Sequence, residues 1–555
     1  MGLSIPFIWS LIAAVLAWTV YSWVCLWQNY QSARRLGIPL RILPISHGNP
    51  FWMIVDRRVI QYVRRLPFGL GDCSFTRYNW RGWEVGDRCR SHIEMGDVYM
   101  QVTPGKNWFY LCDPESLLDV FRRRSDFPRP LEIYELLNIF GPNLSTVEGN
   151  QWKKQRKITA SCFNELTNKV VWAESLSLAV DMLHYWSSKT SVRTTADDVR
   201  TLSLHVLSKA GFGKSYPFQG HDISMSAASA NAPTSYKESL KEVLDNCVLI
   251  MALGTKFLSK HWLPHKLQRV HRACVAFQKH MTSVYEEEKR ALANGGTPDR
   301  NLLSSLICAS DEEAKASNAD LTESEIYGNM FVLNFAGHDT TAHTLMFAIA
   351  FLAANPPVQD WLSEELQQVF GDRQPEKWDY HNDFHHLKRC NAVLMETVRL
   401  YTPVPVAKWT GTLSRQLRVG DKSITIPPNT MVIPSYAALH THPKFWGPDP
   451  LVWRPQRWVE RHNGKEEMFT PQRGTFIPWS KGERSCPGKR FSQVEFVATM
   501  AALFRDWRVS PELMRGETSE KARARLLNLI EVDSAQVLLL QMLHPERAPL
   551  RWTKK

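Results

Sequence analysis

Cys486 lies in the stretch FIPWSKGERSCPGKRF (476–491), among Lys481, Arg484, Lys489 and Arg490 and between Gly482 and Gly488. After it, Phe491, Val494, Val497, Met500, Ala501 and Phe504 recur at helical spacing. That pattern predicts a helix opening at the cysteine, with Pro487 in a first-turn position that tolerates a missing N–H. Unpaired backbone N–H groups and the positive helix end favour a thiolate there. The two glycines let the backbone approach something flat or bulky. Arg484, two residues before the sulfur, offers a fixed cation to a carboxylate. The other nine cysteines form no CxxC pair and no compact framework, which reads as reduced thiols facing a cytosolic environment.

Two further constellations carry polar groups where they are costly. The segment ESEIYGNMFVLNFAGHDTTAHTLMFAIAFLAANPP (323–357) is apolar on nearly all sides, yet holds His338, Asp339 and Thr340 at its middle, beside the small residues Ala336 and Gly337. An element apolar all round is buried all round, so it reads as a long helix through the centre of a large domain. A second membrane span is the alternative, and the central charge with no basic flank opposes it. Glu396 and Arg399 stand three apart on one helical face and can pair. His381 and His385, four apart in HNDFHH, have zinc-like spacing but no third ligand.

These groups need a scaffold, and the chain of 555 residues is long enough for one large catalytic domain or several smaller ones. Residues 1–33 contain no Asp, Glu, Lys or Arg. Within them, 5–27 matches the roughly 20 apolar residues that cross a bilayer. Arg34, Arg35 and Arg41 follow, placing the body of the protein in the cytosol. A cleaved signal peptide lacks its charged start here. The expectation is a transmembrane anchor over 1–30, a proline-containing linker over 31–50 (Pro39, Pro44, Pro50) and a catalytic domain over 51–545. Strand-like runs fall at 97–104 and 107–114. Helical periodicity dominates from about 115, with a small-residue loop at 222–235 and a charged linker at 309–322. The sequon at Asn143 would never meet the glycosylation machinery. The net charge of +12 suits a basic face toward anionic lipid or an acidic partner. With no long Lys/Arg run, a nucleic-acid partner is not expected.

A thiolate, close backbone donors and a carboxylate-binding arginine suit a haem iron and its propionates. The cysteine stretch resembles the haem-binding loop of the cytochromes P450, F-x-x-G-x-R-x-C-x-G, at Gly482, Arg484, Cys486 and Gly488, with Trp479 standing for Phe. AGHDTT (336–341) resembles that family's oxygen-activating stretch. ETVR (396–399) is similar to its E-x-x-R, WRPQRW (453–458) to the segment whose Arg457 joins that pair, and WKKQR (152–156) to its W-x-x-x-R. All occur in the family's order, and the resemblance runs from about 35 to 545.

The resemblance implies a mainly α fold with a small β portion. It implies haem b with Cys486 as axial ligand to the iron, and Trp152, Arg156 and Arg484 toward the propionates. Ala336, Gly337, Gly482 and Gly488 would give the ring clearance, and Trp479 would pack against the sulfur side. Glu396, Arg399 and Arg457 would form a buried structural network, and Asp339 and Thr340 a proton relay to bound oxygen. Lys408 sits where some relatives place a propionate-binding arginine. The activity implied is a monooxygenase taking NADPH electrons through a separate reductase, with cytochrome b5 as a further donor. Lys153, Lys154, Lys157, Lys481, Lys489 and Arg490 would form the docking face. The setting implied is the endoplasmic reticulum membrane, single-pass. The motifs look most like fungal microsomal members that tailor terpenoids or polyketides. Apolar walls at 134–140, 238–256 and 404–409 imply a lipophilic substrate. A haem-thiolate isomerase or dehydratase without a reductase is the alternative, opposed by Asp339–Thr340. A haem sensor has no signalling domain to support it.

Overall fold

The computed structural model describes residues 5–221, 235–294, 301–308 and 321–555. The expected loop at 222–235 and linker at 309–322 lie almost wholly outside them. The chain folds as two compact units: Met1–Ile133, Pro405–Pro450 and Gln472–Arg484 form one, and Tyr134–Val404, Leu451–Pro471 and Ser485–Lys555 the other.

The first unit is built on a mixed five-stranded sheet, ordered Leu40–Ile42, Val98–Val102, Asn107–Leu111, Thr430–Pro434 and Lys408–Trp409. Alternation along the strands covers both faces. Met100, Val102, Phe109, Leu111 and Val432 join one apolar cluster, and Tyr99, Tyr110, Met431 and Ile433 the other. The Tyr99 and Tyr110 rings stack at 5.0 Å.

The N-terminal helix, Ile5–Arg34, docks its last turns on this sheet. Leu26 and Ala33 enter the first cluster. Asn29 Nδ2 donates to the Thr103 carbonyl at 2.8 Å, and Asn107 Nδ2 donates to the Asn29 carbonyl at 3.1 Å. Among the described residues, no helix is long and apolar enough to cross a membrane. The transmembrane helix expected over 1–30 is therefore not seen among these residues. The side chains of residues 1–8 and 11 are not described. In the remainder, Trp, Tyr, Ser and Thr interrupt the apolar run, and Gln28–Ser32 is a polar stretch within the docked turns.

The second unit is mainly helix, with three two-stranded sheets. Its centre is one rod: Glu323–Asn334, a π-helical turn Phe335–Asp339, then Thr340–Ala354. Thr322 and Glu325 cap its start reciprocally, each side chain accepting the other's backbone N–H. The rod stops at Ala354, and Pro356 opens the next helix, Pro356–Phe370. Thr195–Phe212 packs against the rod and against Glu165–Ser187, which also packs against the helix after the cysteine, Lys489–Phe504. Asn143 is buried, its Nδ2 donating to the Leu137 carbonyl, so the sequon is inaccessible in the folded chain.

Glu495, on Lys489–Phe504, is fully buried. Burial pushes its carboxyl up to about 8, with the Ser203 hydroxyl opposing. Unfolded, such a group titrates near about 4.3. The fold therefore favours the neutral form, and stability falls as pH rises from about 5 to about 8, by about 5 kcal/mol in the limit. Glu495→Gln removes that slope. Its melting temperature should match the parent's near about pH 5 and exceed it by several degrees near about pH 8, as read by thermal denaturation across pH.

Candidate active site

The helix after the cysteine opens at Lys489, with Gly488 as N-cap, so Cys486 and Pro487 precede its first turn rather than form it. Residues 482–488 stay in turns and bends because Gly482 holds a left-handed φ of 77° and Ser480 one of 61°. A Cβ at Gly482 would meet the Phe121 carbonyl at 2.9 Å, so only glycine fits there. At Gly488 a Cβ would make only ordinary contact with Phe163 at 3.4 Å and lie 3.9 Å from Cys486 Sγ. Cys486 is exposed at its surface. Burial raises its thiol pKa, against the Gly488 N–H and the Arg156 charge. Helix-end stabilisation therefore does not prevail in the isolated chain; a coordinating metal deprotonates a thiol outright.

The W-x-x-x-R helix, Gly149–Ser161, meets the cysteine loop directly: Arg156 Nη2 donates to the Ser485 carbonyl at 2.8 Å. Trp152, on the same helix, is buried. This helix is tied to the central rod by a buried relay. Gln155 Nε2 donates to Glu325 at 3.0 Å, and Asn329 Nδ2 donates to Gln155 Oε1 at 3.0 Å. Within the first unit, Arg484 is buried, and Trp479 meets Phe476 edge-on at 6.4 Å. Lys408 is buried with its ammonium 5.6 Å from the Phe121 ring.

Along the rod, almost every residue from Gly328 to Phe335 is buried, yet Ala336 is exposed and Gly337 half-exposed. A small side chain and the widened π turn open the helix surface at this point. His338 Nδ1 donates to the Asn334 carbonyl, bracing the turn. Thr340 Oγ1 donates back to the Ala336 carbonyl at 2.8 Å, leaving its lone pairs to accept. Asp339 is held by a residue no motif indicated: Arg200 Nε donates to Oδ1 at 2.6 Å. Arg200 Nη2 also reaches His343 Nε2 at 3.4 Å. Burial pushes the Asp339 carboxyl up, but Arg200, with His343 and His338, overrides it and brings the group down to about 2. His343 is pushed down to about 4, chiefly by burial, so it is neutral near pH 7. Arg200 lies in a mixed polar and apolar helix, TADDVRTLSLHVL, whose sequence gives no signal of this partner.

Glu396 gathers the remaining motifs. Its carboxylate accepts from Arg399 Nε and Nη2, both at 2.8 Å, from Arg457 Nε at 2.9 Å, from the Arg454 N–H at 2.8 Å and from Trp458 Nε1 at 2.9 Å. Glu396 and Arg399 are fully buried. Trp453 stacks on Phe351 of the rod at 5.1 Å, and its Nε1 donates to Thr397.

The chain is similar to named proteins over most of its length. A cytochrome P450 monooxygenase of Arthrobotrys oligospora is 28% identical, covering 89% of this chain and 90% of the relative. A phomenoic acid biosynthesis cluster cytochrome P450 monooxygenase of Leptosphaeria maculans is 28% identical over the same shares. Cytochrome P450 monooxygenase 124 of Postia placenta is 30% identical, covering 80% and 83%. The cytochrome P450 family model matches residues 88–532. That span takes in the Arg156 helix, the opened rod, the Glu396 hub and the cysteine loop, so the chain belongs to the cytochrome P450 family, whose cofactor is haem iron.

Proposed function

We propose that this chain is a haem-thiolate monooxygenase that inserts one oxygen atom from O2 into a lipophilic small molecule, using NADPH electrons from a separate reductase. The observation that carries the reading is the interruption of the buried rod at Ala336–Gly337, one turn below Thr340 and beside Asp339. An exposed Cys486 with Arg156 bonded to its loop supports it. The buried Arg484 offers the cation, and Gly482 the backbone without a side chain, that an anionic planar group calls for. When bound, haem supplies O2 binding and O–O cleavage, which thiolate ligation favours. In this reading Cys486 would hold the haem iron, Trp152, Arg156 and Arg484 would hold the propionates, and Trp479 would tune the sulfur.

The proton chemistry falls to the rod. Thr340 Oγ1 donates to Ala336 and can accept a hydrogen bond on its outer side. Asp339 is ionised near neutral pH and held by Arg200, so it carries no proton at rest. For Asp339 to pass a proton from water to Thr340, its carboxylate must loosen from Arg200. Arg200 thus sets how readily the relay operates.

Tyr134 and Phe140 pack with Phe277 and Phe331 in an apolar cluster, consistent with a lipophilic substrate. The fungal relatives, one named for phomenoic acid biosynthesis, favour fungal secondary metabolism of terpenoid or polyketide type. The setting proposed is the endoplasmic reticulum membrane, held by residues 1–30, with the catalytic domain cytosolic. Exposed Trp18, Trp23 and Trp27, followed by Arg34 and Arg35, support it. The reductase, and cytochrome b5, would dock at Lys153, Lys157, Lys481 and Lys489. An isomerase would need neither NADPH nor a reductase. Product formation in their absence, after expression with and without a reductase, would decide for that alternative.

Thr340→Ala should keep NADPH consumption but lower product formed per NADPH roughly tenfold or more, with peroxide released instead. Coupled assays of NADPH, peroxide and product read this directly. Arg200→Met leaves the Asp339 charge buried and unpaired, and should cost about 3–5 kcal/mol of stability. Adding Asp339→Asn should restore most of it, as seen in denaturation midpoints of the single and double variants.

A further inference from the structure

The helix Pro50–Arg64 is turned with its apolar surface outward. Trp52, Asp56 and Ile60 are buried, and Trp52 Nε1 donates to the Asn79 carbonyl at 2.8 Å. The opposite side presents Phe51, Ile54, Val55 and Tyr62 to solvent, with Arg58 and Arg65 among them. The chain then makes a tip, LPFGLG (66–71). Leu66 and Leu70 are exposed, and Phe68 is 97% exposed. Phe68 also has a φ of 60°, a left-handed conformation that bulky residues rarely adopt. The tip is not loose. Leu70 N donates to the Pro67 carbonyl and Asp72 N to the Gly69 carbonyl, and a Cβ at Gly71 would strike the Val63 carbonyl at 2.5 Å. A constrained turn thus holds an aromatic ring away from all protein contact. Local strain kept in a folded turn points to a use for what it displays.

An apolar groove of about 660 Å³ continues this surface, lined by Trp18, Tyr21 and Trp23 of the N-terminal helix and by Phe51, Ile54 and Val55. Asp56 is buried, leaving Asp72 as the exposed acid between 50 and 72. The segment lies before residue 88, outside the span the family model matches.

We propose that the outward face of Pro50–Arg64 and the 66–70 tip form a lipid-contacting surface that lies in the headgroup region of an anionic bilayer, with Phe68 and Leu70 inserted. Apolar and aromatic side chains interleaved with exposed arginines are the chemistry of an interfacial element on anionic lipid. The groove would let the same lipid cover the N-terminal helix. The inference holds whether or not that helix also spans the membrane.

The test is hydrogen–deuterium exchange of the full-length haem-loaded protein. It compares lipid-free protein, phosphatidylcholine vesicles, and phosphatidylcholine vesicles containing phosphatidylserine. Peptides covering 50–72 should be protected with the phosphatidylserine vesicles, and less so with phosphatidylcholine alone. Arg58→Gln and Arg65→Gln should each weaken the lipid dependence of that protection roughly fivefold. Phe68→Ser with Leu70→Ser should abolish it while leaving exchange in the 98–111 strands unchanged, which shows the fold retained. Protection confined to 1–34, or absent with every vesicle, would overturn the proposal. So would equal protection in lipid-free protein at raised concentration, which would make the surface a contact between copies.

Discussion

The carboxylate of Glu396 is the constraint on which the second unit is organised. A fully buried anion is tolerated only when charge and hydrogen bonds compensate it together. Here Arg399 comes from the same helix, while Arg454, Arg457 and Trp458 come from a segment far along the chain. The segment can approach in few other ways without stranding a charge. Through Trp453 on Phe351, the arrangement also reaches the central rod. The hub contributes no chemistry itself. It fixes the helix that carries it against the element in which chemistry is proposed.

The rod is a compromise between burial and access. Its apolar surroundings stabilise an uninterrupted helix, but a reacting site needs room and a proton source. The π turn at Phe335–Asp339 widens the helix and exposes Ala336, while His338 braces the turn by bonding to the Asn334 carbonyl. The charge placed there is compensated across to Thr195–Phe212 through Arg200. The same ion pair that makes Asp339 affordable in the core also holds it away from protonation.

Much of this was legible in the sequence, for physical reasons. The all-round apolarity of 323–354 marks a buried central helix, and the three-residue spacing of Glu396 and Arg399 marks a shared face. The motif set identifies the family. Other features were hidden because they depend on tertiary partners. Nothing near Arg200 in the chain shows that it faces Asp339. The spacing after Cys486 reads as a helix from the cysteine, but the left-handed turn at Ser480 and Gly482 delays the helix to Lys489. The N-terminal stretch reads as one apolar span, whereas the polar residues in its last turns are committed to the sheet of the first unit.

The account stands most directly on Cys486 as the axial ligand of a haem iron. The sharpest test is the carbon monoxide difference spectrum of the reduced, haem-loaded protein, beside that of Cys486→His. Thiolate ligation predicts the long-wavelength Soret band that gives the family its name in the parent. The variant should show the shorter-wavelength band of imidazole-ligated haem. A parent with only the shorter-wavelength band when freshly purified and active, or a variant that keeps the long-wavelength one, would contradict the assignment.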